Sequence, residues 1–480
     1  MTTYTKVGPF TNGSAAPPIN AAFLNGVETF LTGVTSATSP APSGSDDTAP
    51  ITSWLTANAG QDLVLQPGTY TVTTITIPAN TRVRGYEAKI LVSGAANGIV
   101  MSGSNSSLLG VEVDGTGLTT NGNLVGMGIL ISNATGVTVQ DCNVHDTQNN
   151  GIGFDHGTNV QIIANTVGAT KNSMNGIGGT FSNNVKVYRN ILSGNAGIEV
   201  WGGDPATAHG VYGCVDVQVN ENSMTGGGVF LASCQDFTIN GNRSVNAVDV
   251  GVDAEGCLAG TMSNNVVRDA NNYGVAMFYG SNEVAITGNK VICSSTPTGL
   301  KHGIGIVTAT TSKDITITGN TVRVAGNSIQ TDATALSNAV IVGNRLHGAY
   351  GVLLQQSAEI AVANNEITTT GTRGIGLEGS NNCVITGNRV QLTGTDGTAL
   401  GSNGGIWTYS RGGSWLGTGN TITNNKVDGY ATSIKINTPA NYVGINAVDT
   451  IAYAAGTSGI QFTGNYANSS PTTTINASSV

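Results

Sequence analysis

VITGNRV, residues 384–390, sets the reading of the whole chain. Val384, Ile385 and Thr386 are strand-forming residues. Gly387 and Asn388 then tolerate the left-handed backbone of a sharp bend, and an apolar Val390 follows one polar position later. The phrase recurs as VQDCNV, IIANTV, VYRNIL, VNENSM, INGNRS, AITGNKV, TITGNTV, IVGNRL, VANNEI, TITNNKV and QFTGNYA, with asparagines at 143, 165, 190, 222, 242, 265, 289, 320, 344, 365, 388, 425 and 465. Most intervals are about 20–25 residues, the period of a solenoid. A second phrase follows about ten residues after the first: NGIGFD, NGIGGT, AGIEVWG, GGVFLAS, VGVDAEG, YGVAMFYG, HGIGIVT, YGVLLQQ, RGIGLEG and GGIWTYS. Each repeat therefore carries at least two short strands separated by bends.

One such rung cannot bury its own apolar face. Stacked rungs bury a continuous core and pair every backbone ladder with the next. Period-2 alternation and frequent Gly and Asn exclude a helical solenoid. The expected fold is all-β, a right-handed parallel β-helix of roughly a dozen rungs spanning 46–440, with C-terminal rungs and a tail over 441–480. Ahead of it, an amphipathic helix is expected near 19–33 (Ile19, Phe23, Leu24, Val27, Phe30, Leu31) within an N-terminal unit of residues 1–36. The Pro/Ser/Gly run over 37–45 reads as a linker. A short capping helix is expected from Thr48, with Pro50 in its first turn and Ile51, Trp54 and Leu55 on its apolar face; such a helix closes the open end of a solenoid.

Only 10% of the 480 residues are charged and the net charge is −9. No basic stripe exists to neutralise phosphates, so nucleic-acid partners are not expected. No apolar run is long enough for a membrane span. The start, MTTYTKVGPF, lacks the basic and apolar parts of a secretory signal; release by cell lysis, or earlier removal of a signal, would each bring the chain outside a cell. The six cysteines form no CxxC pair or Cys/His cluster, so no metal and no cofactor is expected. Cys214, Cys234, Cys257 and Cys383 stand just before strand-like runs and are expected as a buried, reduced stack.

Residues 43–88 contain DDT, LQPGTY and IPANTRVRG. This segment resembles the opening of the pectate-lyase-like right-handed β-helix superfamily, whose members include lyases, hydrolases, epimerases and adhesins. The resemblance implies the fold strongly and the activity weakly. The stretch FTNGSAAPPINAAFLNGVE resembles the N-terminal segment of phage tail-fibre and tailspike proteins. That likeness implies attachment to phage tail or baseplate proteins through residues 1–36, a homotrimer, and a place on a virion acting at the host surface.

The residue after Gly in the second phrase is nearly always Ile or Val and must face inward, so the third and fifth positions face outward. The third positions include Gly153, Gly179, Glu199, Phe230, Asp253 and Trp407; the fifth include Asp155, Trp201, Glu255, Phe278 and Tyr409. Acids and aromatic rings gather between 197 and 280: Glu199, Trp201, Phe230, Asp253, Glu255, Phe278 and the adjacent Tyr279. Rings are platforms for the apolar faces of sugars, carboxylates bind their hydroxyls, and the same rings could serve as oligomer contacts. Insertions at 202–213 (with His209), 293–301, 393–403 and 410–419 flank the column and are expected to wall a groove.

Asp253 and Glu255 start about 6.6 Å apart on one face, and Glu199, two rungs away, about 9–10 Å from Asp253. Such spacing suits a pair of carboxylates acting on a glycosidic bond. Glu255 or Glu199 is expected as the acid and Asp253 as the base, with Trp201, Phe230, Phe278, Tyr279, Asp155, His209, Trp407 and Tyr409 as substrate contacts. Asp249, before Gly251, reads as a turn acid. His302 in KHGIGIV resembles the GHG motif of polygalacturonases, yet Ala276 and Phe278 stand where that mechanism needs aspartates. The expected function is binding and hydrolysis of a bacterial surface polysaccharide. The alternatives are a non-enzymatic receptor-binding fibre or adhesin, and a polysaccharide lyase or epimerase; a lyase would need a cation for a uronate carboxylate, and Arg243, Arg268 and Lys301 lie outside the outward columns.

Overall fold

The computed structural model describes residues 37–478, with gaps at 95, 121, 123, 169, 172–174, 195–196, 208–209, 294–301, 308–309, 333–335, 394–403, 411–415, 431, 440, 445, 449, 455–460 and 463–473. The 1–36 unit, His209, Asn465, most of the expected walls 293–301 and 393–403 and half of 410–419 lie outside the described residues.

One rung shows how the repeat becomes a coil. Val252–Glu255 forms a strand on the first face. Gly256, at φ +54°, turns the chain into Leu258–Ser263 on the second face. Asn264, also at φ +54°, turns it again into the short third face, Val266–Arg268. Tyr273–Phe278 then begins the next coil. Every strand pairs in parallel with its equivalents before and after: Val252 lies against Val229 and Val275. The result is a right-handed parallel β-helix of about 15 coils. The expectation of a dozen came from counting asparagines. Early coils turn without one: Val111 and Cys142 occupy the level that Asn165 and its successors take later.

The interior is a stack of aliphatic rows. Ile198, Val229, Val252, Val275 and Ile304 form one of them and are all essentially unexposed. Each such side chain contributes about 1.5–3 kcal/mol by leaving water.

The recurrent asparagine works differently from the expectation. The left-handed residue is the one before it, as at Ala164, Glu221 and Gly288. The asparagine itself is buried and forms a ladder. Asn265 takes the backbone N–H and the side-chain amide of Asn242 on its Oδ1, at 2.9 and 3.0 Å. It passes the same pair of bonds to Asn289 and donates to the Ile239 carbonyl at 2.9 Å. The ladder runs from Asn165 to Asn446. Asn143 stands one position outside it and is exposed, because Cys142 takes the inward place.

A second ladder lines the bend after the first face. Cys214, Cys234 and Cys257 stack there between Ser182, whose N–H points at the Cys214 Sγ, and Ser281, which accepts from the Cys257 N–H. Cys383 is not part of that stack: it sits against Ile360, at the start of the following strand. All six cysteines are free and buried.

The helix Thr48–Ala57 buries Ile51, Trp54 and Leu55. Thr48 is its first residue rather than its cap. The Asp46 carboxylate accepts from the Thr48 N–H at 2.9 Å, and Asp47 accepts from Ser43 and Thr71. The 37–45 stretch, read as a linker, is packed on the first coil: Ala37–Thr38 pairs with Leu63–Val64, and the Ser39 hydroxyl meets that of Tyr70 at 2.8 Å. At the other end the coils continue past residue 440, with Ile434–Ile436 pairing with Ile451–Tyr453. Among the described residues no helix is long and apolar enough to cross a membrane.

Candidate functional site

On the first face the outward third-position row reads, coil by coil, Leu130, Gly153, Gly178, Glu199, Phe230, Asp253, Ala276 and Gly305. Gly178, not Gly179, belongs to it. Gly179 faces inward, where a Cβ would meet the Phe154 ring at 1.9–2.2 Å. The fifth-position row carries Asp155, Thr180, Trp201, Ala232, Glu255 and Phe278. The register thus brings together Glu199, Trp201, Phe230, Asp253 and Glu255 across three coils.

Outward does not mean open. Asp253 is only 5% exposed and its Oδ1 has no hydrogen-bond partner. Burial drives its carboxyl far above the usual carboxylate range, and the charges of Glu255 and Asp249 add to this. Burial thus disfavours the charged form of Asp253. Glu255 is half-buried; burial, then the charges of Asp249, Glu199 and Asp204, push it up to about 7. Glu199 is raised by burial alone and accepts a hydrogen bond from the Asn175 amide. Trp201 stacks on Phe230 with centroids 6.0 Å apart.

Two hollows open along these side chains. One, of about 520 Å³, is lined by Glu199, Trp201, Asn149 and Asn150. The other, of about 160 Å³, holds Asp253, Asp249, Asn175 and Phe230. The described part of the 202–213 insertion walls the fifth-position edge. Asp204 closes a turn onto Ala206 and Thr207, and Pro205 lies so near Gly256 that a Cβ there would sit 2.8 Å from it.

The other expected contacts are placed apart. The Asp155 oxygens are taken by the Thr180 hydroxyl at 2.5 Å and the His156 ring at 2.9 Å. Phe278 packs into an apolar patch with Val250, Tyr273, Ala276 and Val307, and Tyr279 sits on the following bend. His302 is buried against Tyr273, its Nδ1 accepting from the Asn327 N–H. The coil before it does carry Ala276 and Phe278. Trp407 and Tyr409 lie six coils from Asp253 and are only 8% exposed and half-buried respectively.

Asn175, Asp204 and Asp249 were not among the expected site residues. They sit in bends, whose direction alternation cannot give. Asp249 is at a bend as expected, yet its charge reaches both Asp253 and Glu255.

Among the described residues, the grouping of three side chains able to hold a metal is Asp114, His145 and Asp146. Lys89 already pairs with Asp114 at 2.7 Å and with Glu112 at 3.1 Å, and His145 bonds Asp146 and Glu112.

The family profile described as right handed beta helix region matches residues 74–212 and 127–322, together more than half of the chain. A second profile, periplasmic copper-binding protein (NosD), matches residues 298–479. Among the described residues, no grouping of three His, Cys, Asp or Glu side chains falls in that stretch. No curated protein matches the sequence significantly. Among solved structures, the pre-mature gene product 12 of bacteriophage phi29 is similar at TM-score 0.61 and 13% identity, covering 93% of this chain and 74% of that one. The Streptococcus pneumoniae surface adhesin PfbA gives 0.43 and 16%, covering 72% and 89%. A Yersinia enterocolitica family 28 exopolygalacturonase gives 0.41 and 12%, covering 82% and 79%. With its coils, its registers and the profile match in agreement, the chain belongs to the right-handed β-helix family.

Proposed function

We propose that this chain binds a bacterial surface polysaccharide along its first face and hydrolyses it at Glu199, Asp253 and Glu255. The observation that carries the reading is one cluster of carboxyls with raised proton affinities beside stacked rings. Burial raises all three: Asp253 well above the usual carboxylate range, Glu255 to about 7, and Glu199, which also accepts a hydrogen bond from the Asn175 amide. A carboxyl raised to about 7 is placed to give up a proton near neutral pH. Glu255 donates its proton to the glycosidic oxygen, and Glu199 takes one from the attacking water. Burial of Asp253 beneath them disfavours a further charge on the floor. Trp201 and Phe230 hold the sugar rings.

The carrier of this activity is a phage particle, with residues 1–36 as the attachment segment and a homotrimer as the assembly. The tail-fibre-like phrase at the N-terminus and the phage origin of a similar fold support that placement. A binding-only fibre is the second reading, favoured by the near-complete burial of Asp253. The test is release of reducing ends from a panel of capsular and cell-wall polysaccharides. Hydrolysis predicts release by the native protein and its loss in Glu255→Gln, with binding retained. Binding without release by the native protein establishes the fibre, and an ultraviolet-absorbing unsaturated uronate in the product establishes a lyase.

A further inference from the structure

The charged side chains around the smaller hollow on the first face are all of one sign. Its volume is about 160 Å³, and Asn175, Phe230, Asp249 and Asp253 line it together with backbone at Gly197 and Gly228. A drug-sized ligand needs roughly 300 Å³ or more, so this hollow takes one ring or its substituent. The Asn175 amide nitrogen is committed to Glu199, and its oxygen would lie 3.4 Å from a Cβ at Gly197. Asp249 stands exposed at the rim. Asp253 is buried, and its Oδ1 has no hydrogen-bond partner.

No cation in the outward rows offsets these groups. The rows from Leu130 to Gly305 and from Ser132 to Val307 contain Asp155, Glu199, Asp253 and Glu255, and no Lys, Arg or His. Glu255 and Asp249 act on Asp253, while Asp249, Glu199 and Asp204 act on Glu255. Carboxylates gathered without a counterion repel one another, and a buried oxygen without a donor is costly. A ligand that brings positive charge and several N–H donors relieves both, whereas a sugar carboxylate would add to the repulsion. A metal ion needs its ligand atoms close together. Among the described residues, no three carboxylate, imidazole or thiol ligand atoms of this region lie within 4.8 Å of one another. An ammonium group asks for less: its three donors can reach separate acceptors at ordinary hydrogen-bond distances.

We propose that this hollow is a subsite for a sugar carrying a free amino group, so that the polysaccharide on this face contains unacetylated amino sugars. The ammonium group bonds Asp249, Asp253 and the Asn175 oxygen, and Phe230 takes the apolar face of the ring. Phe230 and Asp253 are register partners in successive coils, about 4.8 Å apart, which lets one ring meet both. N-acetylation removes the charge and leaves one N–H donor of three. The inference rests on the glycan-binding reading above and adds the charge of the glycan. It accounts for an acid at 253, where burial penalises the charged form.

The experiment measures binding of chitosan oligomers and of de-N-acetylated poly-N-acetylglucosamine, each beside its re-N-acetylated form, at about 0.15 M salt and a pH that keeps the amine protonated. The proteins are the native chain, Asp249→Asn, Asp253→Asn and Glu359→Gln, the last removing an exposed acid from the second face. The expected result is that at least one amine form binds about tenfold or more tightly than its acetylated form. Asp249→Asn and Asp253→Asn should each cut that ratio several-fold without lowering the melting temperature, and Glu359→Gln should leave it unchanged. Equal binding of the two forms, or a preference that survives both Asp substitutions, overturns the subsite. So does an equal fall in Glu359→Gln, the mark of attraction to the net charge of −9 alone. Release of reducing ends from acetylated or neutral glycans by a protein with no amine preference overturns the subsite and leaves the hydrolase standing, whereas neither binding nor release with any glycan overturns both.

Discussion

Replacing Asp253 with Asn should stabilise the protein, and by an amount that grows with pH. Asp253 is 5% exposed, one of its oxygens is unpaired, and burial and the Glu255 charge raise its proton affinity well above that of a free aspartate. The native state therefore holds a proton that the unfolded chain gives up above about pH 3.9. Stability from this group is fully present below that unfolded value and is lost as pH rises from there through the native value. Over that window the loss is about 1.4 kcal/mol per pH unit. Asn has nearly the same shape and does not titrate. The stability difference between Asp253→Asn and the native protein should therefore move in favour of the variant as pH rises above the unfolded value, at up to about 1.4 kcal/mol per pH unit until the native carboxyl ionises. Glu199 and Glu255 titrate in both proteins and largely cancel. A constant offset from the amide would not alter the slope, so the slope is the quantity to read. Urea midpoints of both proteins at pH 5, 6 and 7 provide it. A difference that stays flat with pH would refute the claim that Asp253 is buried in its acid form.

Four further outcomes follow from the same geometry. Asn265→Ala orphans the buried Asn242 N–H, removes one bond from the Asn242 amide and frees the Ile239 carbonyl; at about 1–3 kcal/mol for an orphaned group and about 1 kcal/mol for each further bond, the loss is roughly 3–5 kcal/mol, read as accelerated hydrogen exchange in that coil and its neighbours. Asn143→Ala, at an exposed position outside the ladder, should change stability by less than about 0.5 kcal/mol. Reducing-end release should fall above about pH 7 as Glu255 loses its proton, and Asp249→Asn, which removes the largest charge acting on Glu255, should move that limb to lower pH in a rate–pH profile. Gly256→Val places a side chain at φ +54° and against Pro205, so the 202–213 wall should loosen, with a stability loss of about 1–3 kcal/mol by thermal melting.

The coil was legible because inward residues must be apolar at every turn, and Ile or Val after Gly fixes the phase of the first face. The bends were harder. Gly-Asn reads as one flexible unit, yet the two residues divide the work. Gly288 supplies the left-handed backbone, and Asn289 goes inside to hydrogen-bond its counterparts. A slip of one residue, as between Cys142 and Asn143, is invisible until the partner coil is in place. The site was legible in its direction and not in its exposure. Alternation put Asp253 outward; it could not show that Phe230 and Ala276, in register on either side, help to close it off. The stacking of Arg373 on Trp407, 4.4 Å from the ring centroid, was not legible either, because Arg373 precedes its strand's outward positions and reaches the ring of the next coil over Gly376.

That last relation is general on this face. The bend residue before the strand of one coil lies over the third-position residue of the next. Met127 fills the space beside Gly153, Asn150 that beside Gly178, and Tyr273 that beside Gly305. A glycine in the outward row is thus a seat for a neighbour's side chain. The same geometry acts at Glu199, where the bend residue Asn175 meets a carboxylate in place of a glycine and hydrogen-bonds it. Glycine at 199 would leave Asn175 free to drop into the recess as Asn150 does. Glu199 and Asn175 therefore form a unit that spans two coils, in which the Asn175 amide holds the Glu199 carboxylate. The chemistry of the face is written in such pairs of successive coils, each made of a bend residue and the outward position it covers.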